Sequence, residues 1–154
     1  IVGGGQEKGF RAGTESVHNI LGMEKAFTLA YQNLAEEKEY VLSLKKRFID
    51  GVQSRLPKAT LNGGCGNFDR STYTLVNLRL PITSDKATLL LFHLDLNGIA
   101  CSQGSACQSG SNTGSHVLRA IAADNFPSLR FSFSIYNTEE EVDYVIDTLA
   151  SYLA

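Results

Sequence analysis

Leu129-Arg130-Phe131-Ser132-Phe133-Ser134-Ile135 alternates apolar and polar residues without a break. Side chains of an extended chain point to opposite faces in turn, so this stretch predicts a strand with one buried face. Thr74–Leu80 repeats the pattern, with Val76, Leu78 and Leu80 on one face and Asn77 and Arg79 on the other. Around these strands the period changes to that of a helix. Val17, Ile20, Leu21, Phe27, Tyr31 and Leu34 recur at helical spacing, and Val41, Leu44, Phe48, Val52 and Leu56 continue the stripe. Together they predict one long or kinked helix, or two in series. Thr14 is its expected N-cap, and Pro57 stops it. Ser84 is placed to cap a shorter helix through Leu94, and Ile99–Ser102 reads as a brief strand. Ser115–Ala122 reads as another short helix. Thr138 and Glu141 have the spacing of a capping box before a last helix whose buried face is Val142, Val145, Ile146, Leu149 and Leu153. The expected order is helix, strand, helix, strand, helix, strand, helix. That order predicts an α+β or α/β sandwich, a small sheet covered by helices.

The chain has 154 residues and a formal net charge of −2. That length suits one domain with a real core, and the composition is globular. A charge near zero argues against nucleic acid or an anionic membrane as the main partner. No segment approaches the ~20 apolar residues of a membrane-spanning helix, and no signal peptide is visible. Three cysteines, Cys65, Cys101 and Cys107, do not make a disulfide framework, so a reducing cytoplasm is the expected compartment. The chain opens at Ile1 without an initiator Met and reads as a fragment or a separate domain.

Gly104-Ser105-Ala106-Cys107-Gln108-Ser109-Gly110 places a thiol among small residues. Such neighbours let another molecule approach closely, so Cys107 is placed to react rather than to pack. Cys101 sits in the apolar run before it and reads as packing. Cys65, in Asn62-Gly63-Gly64-Cys65-Gly66-Asn67, is a weaker rival for a reactive role. A metal site is not expected, because Cys101, Cys107, His93 and His116 lack the close spacing that zinc needs. His18 and His93 fall within helical patterns and read as partly buried. His116 opens a helix beside the cysteine loop, where capping or packing competes with assistance to the thiol.

Arg130 shares its strand face with Ser132 and Ser134. A guanidinium beside hydroxyls suits a carboxylate, and a solvated surface arginine is the competing reading. Residues 3–13 are punctuated by Gly3, Gly4, Gly5, Gly9 and Gly13. Their backbone N–H groups, with Thr14 at a helix start, suit a phosphate. Ile1-Val2-Gly3-Gly4 is similar to the mature start of trypsin-like proteases. The helical patterns and the missing Gly-Asp-Ser-Gly-Gly segment exclude that reading.

Three segments together resemble the C-terminal part of the cysteine desulfurases, pyridoxal-phosphate enzymes related to class V aminotransferases. Gly3-Gly4-Gly5-Gln6-Glu7-Lys8-Gly9-Phe10-Arg11-Ala12-Gly13-Thr14 resembles the family's GGGQE-x-G-x-R-S/A-GT stretch. Ser102-Gln103-Gly104-Ser105-Ala106-Cys107 resembles its S-x-GSAC loop, and Leu129-Arg130-Phe131-Ser132 its I/L-R-F-S strand. His116-Val117-Leu118-Arg119-Ala120 fits the short helix after the loop. The GSAC form is that of the nitrogen-fixation and iron–sulfur-cluster type.

The resemblance implies the small C-terminal domain of a fold-type I pyridoxal-phosphate enzyme at residues 15–154. Residues 1–14 then form a glycine-rich loop on the large-domain side of the active site. It implies Cys107 as the nucleophile that takes sulfur from L-cysteine, leaving L-alanine and a persulfide. It implies Arg130 as the ligand of the substrate carboxylate, and Thr14 as a contact to the cofactor phosphate of the partner subunit in a homodimer. The persulfide would pass to an acceptor such as an iron–sulfur scaffold. The family's Schiff-base lysine lies before the glycine motif, so neither Lys8 nor Lys25 inherits that role, and the chain alone is expected to be inactive. The competing functions are a selenocysteine lyase or aminotransferase-like member of the superfamily, and a non-enzymatic sulfur-relay or scaffold-docking module.

Overall fold

The computed structural model describes residues 2–103, 115–121 and 126–153. They form two compact units, Ile1–Glu36 and Glu37–Ala154. The chain carries helix α1 (Val17–Gln32), helix α2 (Leu34–Arg55), strand β1 (Thr60–Leu61), strand β2 (Leu75–Arg79), helix α3 (Ser84–Leu96), strand β3 (Ser102–Gln103), helix α4 (His116–Ala120), strand β4 (Ser128–Ser132) and helix α5 (Glu139–Leu153).

In the first unit a 3-10 turn at Gln6–Gly9 precedes α1. Glu7 and Lys8 hold positive φ angles of 50° and 55°, and Gly9 follows at 85°. Only glycine adopts the last of these without strain, which accounts for its place in the glycine-punctuated segment. Helix α1 begins at Val17 with Ser16 at the N-cap position, so Thr14 is not the cap. Arg11 holds the Gly13–Thr14 backbone short of the helical path, its Nη1 donating to Gly13 O at 2.7 Å and to Thr14 O at 3.3 Å. The stripe on α1 is helical as expected, but none of its residues is buried, and His18 is exposed rather than partly buried.

The second unit contains a four-stranded antiparallel sheet in the order β1-β2-β4-β3. Val76, Leu78, Leu129 and Phe131 from its apolar face, with Leu80 and Phe133 just beyond the strand ends, join one buried cluster. α2 adds Val41, Leu44, Phe48, Ile49 and Val52, α3 adds Leu90 and Leu94, and α5 adds Val142, Ile146 and Leu149. Phe48 lies between Phe131 and Phe133, with ring centroids 4.9 and 5.6 Å away. Gly51 lets α5 approach α2, since a Cβ there would meet Ile146 Cδ1 at 2.5 Å. The mixed fold with helices over a small sheet is the one the sequence predicts.

Several boundaries differ from expectation. The break between α1 and α2 falls at Asn33, so the long apolar stripe is two helices in series. Thr83, not Ser84, caps α3, its Oγ1 accepting from Lys86 N at 3.3 Å. The Ile99–Ser102 strand starts three residues later, at Ser102, because Ile99 closes the α3 turn by donating to Leu94 O at 2.9 Å. Strand β1 has only two residues and gives no alternation to read. The capping box forms as expected: Thr138 N donates to Glu141 Oε2 and Glu141 N to Thr138 Oγ1, both at 3.2 Å.

Candidate active site

The sheet's second face is polar and follows from the register. Asn77 pairs with Arg130, and Arg130 pairs with Ser102. Asn62 N donates to Asn77 O at 2.9 Å, extending the β1–β2 ladder by one residue. Residues directly opposite in a ladder share a face. Asn62, Asn77, Arg130 and Ser102 therefore form one polar row across the whole sheet. Arg79 and Ser128 make the next row, where Arg79 Nε donates to Thr60 Oγ1 at 2.9 Å.

Arg130 is half-buried, with Ser132 on its own strand on the same face. Among the described residues its guanidinium makes no hydrogen bond or ion pair. Asn62 is only 4% exposed, and its Nδ2 donates to Asn77 Oδ1 at 2.7 Å and to Ser128 Oγ at 2.8 Å. Strand alternation placed Asn77 opposite the apolar face, but the row itself was hidden. Asn62 has no periodic neighbours, and its partners lie 15 and 66 residues away.

The candidate residues of the first unit are held locally. Gln6 Oε1 accepts from Gly13 N at 3.2 Å, and Arg11 pairs with Glu15. These contacts leave Thr14 exposed beside a glycine at φ 101°. The only earlier sign of such a clamp was the Gln6 and Arg11 positions of the glycine-rich segment.

Cys107 and the Gly104–Gly110 stretch lie outside the described residues. Cys101 is half-buried against the core, and burial pushes its thiol up to about 11, as expected of a packing cysteine. Cys65 is half-buried. His116 is exposed at the start of α4, where Ser115 Oγ accepts from Leu118 N at 3.3 Å. Lys45 was missed altogether: it is fully buried on α2, and Nζ donates to Ser71 Oγ at 2.8 Å and to Thr72 O at 2.7 Å. No described group of three His, Cys, Asp or Glu side chains could hold a metal ion. No described helix is long and apolar enough to cross a membrane.

Half-buried Arg130 thus stands on β4 directly opposite Ser102 of β3, five residues before Cys107 in the sequence. Residues 3–145 match the aminotransferase class-V family, and the chain belongs to that family. It is 42% identical over 152 residues to the cysteine desulfurase IscS of Clostridium botulinum strain Hall, covering 97% of this chain and 38% of the relative. It is 38% identical over 147 residues to the cysteine desulfurase IscS of Vibrio atlanticus, covering 94% of this chain and 34% of the relative. The fold is similar to a crystal structure of a NifS-like protein from Rickettsia africae, with a TM-score of 0.78 at 26% identity, covering 99% of this chain and 39% of that one. The chain thus spans little more than a third of the length of the curated relatives it matches.

Proposed function

We propose that this chain is part of a cysteine desulfurase that converts L-cysteine to L-alanine and a persulfide on Cys107. The observation that carries the reading is the Arg130–Ser102 pairing. It supports the reading because Arg130 lies directly opposite Ser102, five residues before Cys107 in the sequence, in a chain similar to named desulfurases. Arg130 binds the substrate carboxylate through paired N–H donors and so orients its sulfur. The Cys107 thiolate attacks that sulfur, forming the S–S bond as the substrate C–S bond breaks. L-cysteine and one thiol yield L-alanine and one persulfide, which conserves every atom. The sulfur then passes to an acceptor such as an iron–sulfur scaffold. In this reading the parent is a cytoplasmic homodimer.

Pyridoxal phosphate, when bound in the parent, withdraws electrons from the substrate carbon. Among the described residues, the resemblance assigns Thr14 to that group. Thr14 is exposed to meet a phosphate bound by the partner subunit; Arg11 donates to Thr14 O, and Gln6 accepts from the N–H of the preceding Gly13. The resemblance gives no lysine of this chain the covalent link, since the family's lysine precedes the glycine motif, and Lys45 is already held by Ser71 and Thr72. The chain alone is therefore expected not to anchor the cofactor or turn over cysteine.

The test is peptide mass spectrometry of the parent enzyme after L-cysteine and pyridoxal phosphate, with alanine measured in parallel. One added sulfur on the Cys107 peptide, lost with alanine formation in Cys107→Ala, is the expected result. Sulfur on Cys65 or Cys101 with Cys107 unmodified would overturn it.

A further inference from the structure

The polar row contains one feature that carboxylate binding by Arg130 alone leaves unexplained. Asn62 directs both hydrogens of its Nδ2 away from itself, one to Asn77 Oδ1 and one to Ser128 Oγ. Asn62 approaches Asn77 from the β1 side of the sheet, since Asn62 N bonds Asn77 O. With Oδ1 accepting from Asn62, Nδ2 is the Asn77 side-chain group left to donate, and no described residue accepts from it. Arg130 is the β4 residue directly opposite Asn77. Facing Cβ atoms in such pairs are about 4.5–5.5 Å apart, within reach of a shared ligand.

Two neighbouring donors cannot satisfy each other. Guanidinium and amide NH2 groups have no acceptor to offer, and among the described residues nothing accepts from either. A carboxylate is the complement: two oxygens with about four lone-pair sites, enough for a bidentate guanidinium and one amide N–H. We propose that Asn77 is a second recognition residue for the α-carboxylate of the amino-acid substrate, donating through Nδ2 beside Arg130, and that Asn62 is its positioning residue. The proposal rests on Arg130 as the carboxylate ligand. It explains why the most buried polar side chain of the row, Asn62 at 4% exposure, makes no direct contact with Arg130 among the described residues.

The experiment uses the 154-residue chain labelled with nitrogen-15 and titrated with L-alanine, the amino-acid product, as the carboxylate probe. The Arg130 Nε–H and Asn77 Nδ2–H2 signals are expected to shift together with a single Kd. Asn77→Ala should weaken that Kd about tenfold, and Asn62→Ala, which leaves Asn77 present but unheld, by about threefold. Asn77→Ser, with a short donor in its place, should recover part of the loss, and the backbone amide spectrum reports whether each variant is folded. Arg130→Ala should abolish the response. If Arg130→Ala binds as the parent chain does, or if neither signal moves, the Arg130 assignment itself fails. If Arg130→Ala abolishes binding while the Asn77 signal stays fixed or Asn77→Ala binds within about twofold, only the Asn77 proposal fails.

Discussion

Lys45 is buried on α2 along with Val41, Leu44 and Phe48, and its ammonium lies 5.6 Å from the centroid of the Phe68 ring. Burial pushes its pKa below the usual lysine value, and Cys65 opposes that shift. Two hydrogen bonds compensate, and they tie the 62–74 segment to α2 through Ser71, which also donates to Asn67 O at 2.7 Å. Lys45→Met keeps the volume but leaves the Thr72 carbonyl without its partner, so it should cost about 1 kcal/mol in urea denaturation at neutral pH. The pH dependence has a definite sign. A lysine whose folded pKa is depressed gives stability that rises with pH between the folded and unfolded values, because there the unfolded chain binds more protons. That rise on the alkaline side, ending near the unfolded value of 10.5, should be absent from Lys45→Met. Nothing in the sequence marks this lysine except its place on the α2 stripe, next to Leu44. A pattern of apolar residues does not reveal a long side chain that reaches two acceptors 26 and 27 residues away.

At the level of elements, what could be read was what depends on near neighbours. The Thr138–Glu141 box and the Leu129–Phe133 alternation are local signals, and both formed. Arg130 was assigned its face by the same alternation. Strand β3 was misplaced because Gly98, at φ 72°, and Ile99 continue the α3 terminus, and only pairing with β4 makes Ser102 extended. Asn62 was invisible for the same reason, since its role exists only after β1 has paired with β2. The capping box gives a prediction at this scale. Thr138→Ala should destabilise the second unit by about 0.5–2 kcal/mol, measured as a lower denaturation midpoint with an unchanged slope. Thr138→Ser, which keeps the hydroxyl, should restore most of the loss.

For the whole molecule the decisive fact is where burial lies. Among the described residues, every buried hydrophobic falls between Val41 and Leu149, all in the second unit, and α1 buries none. A chain shortened to residues 37–154 should therefore keep a single cooperative thermal transition. Its midpoint should lie within about 4–8 °C of the full chain, the shift expected from ~1 kcal/mol in a small domain. Loss of the transition in calorimetry would show that the first unit contributes to the core.

Helix α1 carries Val17, Ile20, Leu21, Met23, Phe27, Leu29 and Tyr31 at 47–68% exposure. In practical handling that helix is expected to limit solubility. The chain should bind hydrophobic resins and environment-sensitive dyes while natively folded, precipitate early with ammonium sulfate, and be held by chaperones in a cell.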